Sequence, residues 1–489
     1  MSGFDPAGLI GGLGTRLREG AEDLAEAAAS TLDGSLRLGV TGLSGAGKTV
    51  FITALVSSLL ARGRMRALSA EAEGRILAVL LRPQPDPGVA RFAHEAHVGA
   101  LKATPALWPV STRSVSQLRL AIRYRPTGLL SGWTGPATLT LDIVDYPGEW
   151  LPDLPLLDCN YATWAASALK AAETPARAGH AGGWRRALAA ADPAAEHTEP
   201  AAEALATAWA DHLQACRVAG LAALTPGRFL MPGDLAGSPA LTFAPLPRPE
   251  DPNRESLYAE MERRFEAYKR VVIKPFFRDH FARLDRQVVL VDALGALAAG
   301  PRALADLTGG LAGALEAFRH GAGGWLDRLT GRRRIDRVLI AASKADHLHH
   351  EGHGALSALV EAMLSEAVAR ARFAGADLQT MAVAAVRATV EQEMERAGVR
   401  VPLVRGRRLD TGAEAAIDPG ELPADPRALV AEALAGSGNG PGHAPEHWPE
   451  AAFAALCFAP PAWGARAEDG PPHIRMDRAL EFLLGDRLL

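Results

Sequence analysis

The octet Gly42-Leu43-Ser44-Gly45-Ala46-Gly47-Lys48-Thr49 carries the complete spacing G-x-x-x-x-G-K-[ST]. The chemistry of that pattern is the cradling of phosphate. Glycines let a turn aim successive backbone N–H groups at one anion, and a following helix adds the positive end of its dipole. The flanks suit that use. Leu36-Arg37-Leu38-Gly39-Val40-Thr41 alternates as a strand does, and Val50 to Leu60 sets Phe51, Ala54, Leu55, Ser58 and Leu59 on one helical face. Strand, glycine turn and helix in that order argue against a chance glycine-rich turn. Ser44, Gly45, Ala46, Gly47, Lys48, Thr49 and Val50 are then the expected triphosphate contacts. Lys48 would serve the β- and γ-phosphates, and the Thr49 hydroxyl would ligate Mg²⁺.

A second constellation follows. Leu139 to Asp145 is a strand-like run ending in Asp145, and Tyr146-Pro147-Gly148 completes D-x-x-G. An aspartate there holds the Mg²⁺ shell through water, and the Gly148 amide can sense a γ-phosphate. Asp292-Ala293-Leu294-Gly295 has the same spacing. Chain order favours Asp145, which comes second after the phosphate loop and follows a hairpin partner strand, Leu118 to Tyr124, whereas Val288 to Asp292 reads as the next core strand. Thr112, just ahead of the partner strand, is the candidate switch threonine for Mg²⁺, with Ser111, Ser114 and Thr104 as competitors. Glu149 stands where a water-orienting residue belongs. A carboxylate there can accept a hydrogen bond from water but adds negative charge beside a γ-phosphate. Lys48, Glu149 and Thr112 are the expected catalytic set, and Arg113 and Arg123 are candidates for an assisting arginine.

The third constellation is Val338-Leu339-Ile340-Ala341-Ala342-Ser343-Lys344-Ala345-Asp346, an apolar strand ending in K-x-D. It resembles the [NT]-K-x-D guanine motif of Ras-like GTPases, in which the aspartate accepts from guanine N1–H and N2–H₂, a donor pair that adenine lacks, and the stem of Lys344 would lie over the base. Ser343 stands where Asn is usual, which weakens one supporting hydrogen bond. Met381 to Val386 reads as a further buried strand, followed by Arg387-Ala388-Thr389, whose backbone near Ala388 could meet guanine O6. One amphipathic helix, Ala355 to Arg372, would connect the two strands.

Together these segments resemble the YcjX family, bacterial stress-associated P-loop GTPases distant from Ras. The resemblance rests on GLSGAGKTVFITAL, WPVSTRSVSQLRLAIRY, LDIVDYPGEWLPDLPLL, RQVVLVDAL, SKADH, VAAVRAT and HIRMDRALEFLLGDRLL, spread from about Ser35 to Leu489. It implies binding of GTP and GDP with Mg²⁺, slow hydrolysis, and action as a nucleotide-dependent switch. Further alternatives are an ATP-dependent P-loop NTPase and a nucleotide-dependent scaffold with little hydrolysis.

These motifs need a scaffold larger than one small domain, and 489 residues with 48% hydrophobic content can supply it. The expected fold is α/β: a Ras-like core with a mixed, mostly parallel sheet. Residues 1–34 read as a helical lead-in, and 35–150 with 285–395 as the nucleotide-binding domain, closed by 473–489. Residues 151–284 read as a helical insertion, and 396–472 as a second insertion with a hairpin at Arg400 to Gly406 and a Gly/Pro-rich linker from Ala435 to Pro449. Met476 to Leu484 is the expected closing helix.

A net charge of −4 gives no nucleic-acid surface, and Arg332-Arg333-Arg334 reads as a solvated loop. Cys159, Cys216 and Cys457 are too far apart for a metal or redox motif and suit a reducing compartment. No apolar run approaches a membrane span. The expected location is the cytoplasm, with peripheral attachment to the inner membrane left open. The expected partners are a guanine nucleotide and a protein docked by the helical insertion, at a membrane or in solution. His347, His349, His350 and His353 crowd beside Asp346, and no further ligand with metal-site spacing accompanies them in the sequence.

Overall fold

The computed structural model describes residues 34–43, 45–84, 86–110, 114–127, 135–221, 224–235, 237–251, 253–317, 335–373, 376–396, 398–423, 425–435, 457–462 and 469–489. The calls on the lead-in, Ser44, Ser111, Thr112, Arg113, Arg332 to Arg334 and most of the Gly/Pro-rich linker lie outside the described residues.

Strand β1 (Gly34–Gly42) leads through the glycine loop into helix α1 (Lys48–Ala61). Strands β2 (Ile76–Arg82), β3 (Ala90–Arg91), β4 (Ser116–Tyr124) and β5 (Ala137–Asp145) follow. A helical unit then intervenes, built on α2 (Tyr161–Ala172), α3 (Gly182–Ala190), α4 (Glu199–Val218) and α5 (Leu257–Tyr268). The chain returns through β6 (Arg286–Val291), α6 (Pro301–Ala317), β7 (Arg337–Ala342), α7 (His353–Met363), α8 (Ser365–Phe373) and β8 (Asp377–Ala382). Strands β9 (Thr389–Arg396), β10 (Val399–Arg407) and β11 (Glu414–Ile417) form a separate antiparallel sheet, and α9 (Met476–Leu484) closes the chain.

The main sheet runs β2-β4-β5-β1-β6-β7-β8, with β3 beside β4. Strands β5, β1, β6, β7 and β8 are mutually parallel, while β4 is antiparallel to both β5 and β2. This is a Ras-like P-loop core with extra strands at the β4 edge. The parallel register sets Val40 opposite Asp145, Gly42 opposite Leu290 and Val291 opposite Ala342. Gly42, Asp145, Val291 and Ala342 therefore share the carboxyl edge of the sheet, where such folds bind ligands.

Both faces of the sheet are covered, so its central strands are apolar rather than alternating. One face packs on α1 and α9, through Phe51, Leu55 and Leu59 and through Met476, Ala479, Leu480, Leu483 and Leu484. The other packs on α6 and α7 through Leu304, Leu311, Leu356, Leu359 and Val360. The turn just after the closing helix is tied to the sheet by ion pairing of the buried Arg286 at the start of β6 with Asp486, 2.7 Å away.

Three expectations need correction. The hairpin expected at Arg400 to Gly406 is a single strand, part of β10, and the turn of the hairpin lies before it, between Arg396 and Val399. The single helix Ala355 to Arg372 is two helices, because Leu364 leaves helical geometry (φ −109°, ψ 10°) with its side chain buried. The strand expected at Met381 to Val386 ends at Ala382. The Val383 amide still donates to the Ala342 carbonyl of β7 at 2.8 Å, but Ala384 pairs with Ile474 instead, so the apolar run continues while the strand does not. The closing helix lies where its sequence places it.

The helical unit has its own core of aromatic rings. Trp164 stacks on Phe265 with centroids 5.1 Å apart, and Trp184 meets Trp209 edge-on at 5.0 Å. Its tie to the sheet is Gly148–Asp158, a tight 3₁₀ run carrying Pro152 and Pro155, with buried Trp150, Leu151 and Leu154. Within this run the buried Asp153 accepts from the Gly227 amide at 2.8 and 3.0 Å and from the Tyr268 hydroxyl at 2.5 Å. Burial outweighs these bonds and pushes its carboxyl up to about 6.

Asp153→Ala leaves the Gly227 N–H and the Tyr268 O–H buried without an acceptor, at an expected cost of about 2–4 kcal/mol in urea unfolding. The pH dependence has a definite sign. A carboxyl whose folded value lies above its unfolded one favours the folded state most at low pH. Its contribution to stability is then lost as pH rises from about 4 through 6. The near-isosteric Asp153→Asn should remove that slope; an unchanged slope would mean that Asp153 does not titrate there.

Candidate functional site

At the carboxyl edge Gly45 and Gly47 both take left-handed backbone conformations (φ 81° and 84°). Residues with a Cβ avoid that region, which is why this loop needs glycine. Gly47 caps α1, and its carbonyl accepts from the Phe51 amide at 2.9 Å. The Lys48 ammonium reaches across to Asp145 Oδ1 at 2.6 Å, and the Ser116 hydroxyl donates to Asp145 Oδ2 at 3.4 Å. Ser116 faces Asp145 because the β4–β5 register sets the two residues opposite each other. Thr49, next in the chain after Lys48, is buried in the first turn of α1. The hydroxyls of Thr49 and Ser116 and the carboxylate of Asp145 are hard oxygen donors, a set that suits Mg²⁺.

Asp292, the competing D-x-x-G aspartate, has a different task. It caps the helix Ala293–Ala299 by accepting from the Gly295 amide at 2.9 Å, and it pairs with Lys344. Gly148 sits so close to the start of the phosphate loop that a Cβ on it would overlap the Gly42 carbonyl. Beside it the buried Tyr146 hydroxyl donates to Gln287 Oε1 at 2.9 Å. Glu149 points toward the helical unit, where Arg217 at the end of α4 lies 3.5 Å from its Oε1. Gly227 packs on the Glu149 carbonyl with no room for a Cβ, and the Arg228 guanidinium lies 3.2 Å over the Trp150 ring. The segment after D-x-x-G is thus held by backbone contact on one side and by the helical unit on the other.

On the other flank of the loop, Ser343 closes β7 by donating from its amide and hydroxyl to the Val291 carbonyl at 2.9 and 3.2 Å. Lys344 adopts a left-handed backbone (φ 60°), an unusual state for a residue with a side chain. Asp346 is buried; its Oδ2 accepts from the Ala388 amide at 2.8 Å, and its carbonyl accepts from the Thr389 hydroxyl. Burial raises its carboxyl above the ordinary value, despite His347, the Ala388 bond and Arg387. Arg387 turns away toward β9, donating to the Thr389 carbonyl at 3.0 Å and meeting Glu391 at 3.4 Å. The buried His353 is held between the Ala345 carbonyl (2.8 Å) and the Arg475 guanidinium (3.1 Å), and burial lowers its pKa.

A cavity of about 260 Å³ joins the two flanks, and Gly45, Gly47, Ser343, Lys344, Asp346 and Val386 line it. Two of its walls, Leu409 and Phe458, had no sequence signal, and a third, Trp108, stood in a family-like stretch without an assigned role. The Trp108 indole N–H donates to the Phe458 carbonyl at 2.8 Å, and the Phe458 ring meets His347 edge-on at 5.3 Å. Gly406 on β10 makes room, since a Cβ there would stand 2.8 Å from the Phe458 ring. Ser116 was likewise missed, because only the strand register reveals it. Arg123 is a correction: it is exposed and lies opposite Thr138, seven residues along β4 from Ser116 and Asp145, roughly 24 Å away at the usual rise per residue.

The chain matches the model of the YcjX-like family, DUF463, over residues 36–488. It belongs to the YcjX-like family. It is 38% identical over 471 residues to the "Ras-like GTPase YcjX" of Escherichia coli K12, covering 94% of this chain and 97% of that relative. It is 36% identical over 482 residues to the protein of the same name from Shewanella oneidensis, covering 94% and 96%. The family match runs across the phosphate loop, the helical unit and the β9–β11 sheet.

Gly148→Ala forces the Gly42 carbonyl, and with it the phosphate loop, to move. Equilibrium binding measured separately for GDP and GTP should weaken for both. Loss of GTP binding alone would mean that Gly148 acts only through its amide and not through this contact.

Proposed function

We propose that this protein binds guanine nucleotide with Mg²⁺ and hydrolyses GTP slowly to GDP, acting as a nucleotide-dependent switch. The observation that carries the reading is the buried Asp346, on the cavity that also opens onto the phosphate loop. A buried carboxylate raised by desolvation is stabilised by hydrogen-bond donors. Guanine N1–H and N2–H₂ supply such a pair, and adenine does not. The printed name of both relatives, Ras-like GTPase, agrees with that choice. The stress-related setting comes from the family resemblance.

In this reading Gly45, Ala46, Gly47, Lys48, Thr49 and Val50 surround the phosphates, with Ser44 completing the loop. Lys48 exchanges its Asp145 partner for the β- and γ-phosphates. Thr49 and Asp145 hold Mg²⁺, whose role when bound is to neutralise phosphate charge. The Gly148 amide senses the γ-phosphate, and Thr112 is retained as the switch threonine. Lys344 and Asp346 hold the base with the Arg387–Ala388 backbone beside it. The Glu149 carboxylate, paired with Arg217, is a poor orienter of attacking water in this position, which supports slow turnover. The helical unit is the proposed docking surface for a protein partner. Among the described residues no helix is long and apolar enough to cross a membrane.

Asp346→Asn tests the base assignment. Xanthine presents an acceptor where guanine presents its N2 donor, so the amide should lower GTP affinity at least about 100-fold and favour xanthosine triphosphate. Unchanged GTP-over-ATP selectivity in this variant would move recognition elsewhere. The switch reading is checked by hydrogen exchange with GDP and with a non-hydrolysable GTP analogue. Protection over residues 148–169 should differ between the two states; identical protection would leave the switch without its moving part.

A further inference from the structure

Behind the base-side loop lies a cluster that the nucleotide reading does not use. His349 and His350 follow the Lys344–Asp346 turn, with ring centroids 4.3 Å apart. Strand β9 brings Glu391 to them: its Oε2 stands 2.6 Å from His350 Nδ1 and 3.6 Å from His349 Nε2. On the far side of the same ring, Glu351 Oε2 stands 3.5 Å from His349 Nδ1. His349 is only 4% exposed, yet its Nδ1 makes no hydrogen bond. Such a buried orphan calls for a reason.

We propose that His349 Nε2, His350 Nδ1 and Glu391 Oε2 form a site for a divalent transition metal of the Zn²⁺ type, with Glu351 orienting His349 from its other nitrogen. Zn²⁺ takes imidazole and carboxylate ligands at about 2.0–2.2 Å, which sets ligand atoms of a tetrahedron roughly 3.3 Å apart. The separations of Glu391 Oε2 from the two ring nitrogens, 2.6 and 3.6 Å, bracket that value. A metal-bound imidazole characteristically donates its second N–H to a carboxylate, which is the relation of His349 Nδ1 to Glu351. The orphaned nitrogen then acquires a role.

The neighbouring cations leave the inward oxygens available. Arg387 meets Glu391 through Oε1 at 3.4 Å, and Arg400 meets Glu351 through Oε1 at 3.8 Å while also pairing with Glu393. His353 is committed to Ala345 and Arg475 and stays out of the set. A metal here would cross-link the turn after Asp346 to β9, two residues beyond the Thr389 hydroxyl that holds the Asp346 carbonyl. The site stands on its own geometry and does not depend on the nucleotide assignment.

The test uses the full chain without a histidine tag, stripped with a chelator. Titration with Co²⁺ should give one equivalent of a tetrahedral ligand-field spectrum, which Zn²⁺ displaces. His350→Ala and Glu391→Gln change exposed or half-exposed side chains, so far-UV circular dichroism should be unaltered. Each should weaken Zn²⁺ binding by about 100-fold or more, and Glu351→Gln by about 10–100-fold. The absence of a tetrahedral Co²⁺ spectrum in the parent chain, or equal Zn²⁺ affinity in the parent and both ligand variants, overturns the proposal.

Discussion

Gly148 lies against the carbonyl of Gly42 with no space for a side chain, and this backbone contact organises the molecule around it. On one side is the end of β1, from which the glycine loop and Lys48 spring. On the other is a 3₁₀ run that cannot drift without breaking the Asp153 bonds to Gly227 and Tyr268. In the proposed switch, a displacement of the phosphate loop would reach the aromatic-filled helical unit through backbone rather than through a flexible side chain. Interfaces of that kind hold a small number of discrete arrangements instead of deforming continuously. The same contact explains why Glu149 faces Arg217: once Gly148 is fixed, the next side chain is delivered to the end of α4.

The base-side flank is built on a different principle. Asp346 is desolvated, and its fixed partners are backbone or hydroxyl groups from one strand start, Ala388 and Thr389. Trp108 and Phe458 complete the cavity from two remote parts of the chain, joined by one indole hydrogen bond. The β9–β11 sheet thus has a structural part in this chain: it carries Gly406, which admits Phe458, and Glu391, which approaches the histidine turn.

What the sequence made legible was local. Gly45, Gly47, Lys48 and Thr49 announce themselves because a phosphate loop needs left-handed glycines beside a helix start. Strands β1, β4, β5, β6 and β7, and the closing helix, follow from apolar periodicity. Ordinal position alone separated Asp145 from Asp292, and the geometry gives Asp292 the ordinary work of a helix cap. What stayed hidden was set by register and by long-range pairing. Ser116 meets Asp145 only through the β4–β5 alignment, Arg217 meets Glu149 across an insertion, and Phe458 reaches Trp108 from the far end of the chain. Arg123 was misread because a strand side chain near the motif in sequence sits at the wrong end of the sheet. The break at Leu364 and the early end of β8 were invisible because burial continues through both, and apolar pattern reports burial rather than hydrogen bonding.

The central claim is that one cavity pairs a phosphate loop with a guanine-selecting carboxylate. Equilibrium binding of the purified full-length chain to GTP, GDP and ATP, each with Mg²⁺, tests it most directly. The account predicts that GTP and GDP bind and compete with one another, while ATP binds at least about a thousandfold more weakly, since a buried polar group left without its partner discriminates at that level. Equal affinity for ATP and GTP, or binding of neither, would contradict it.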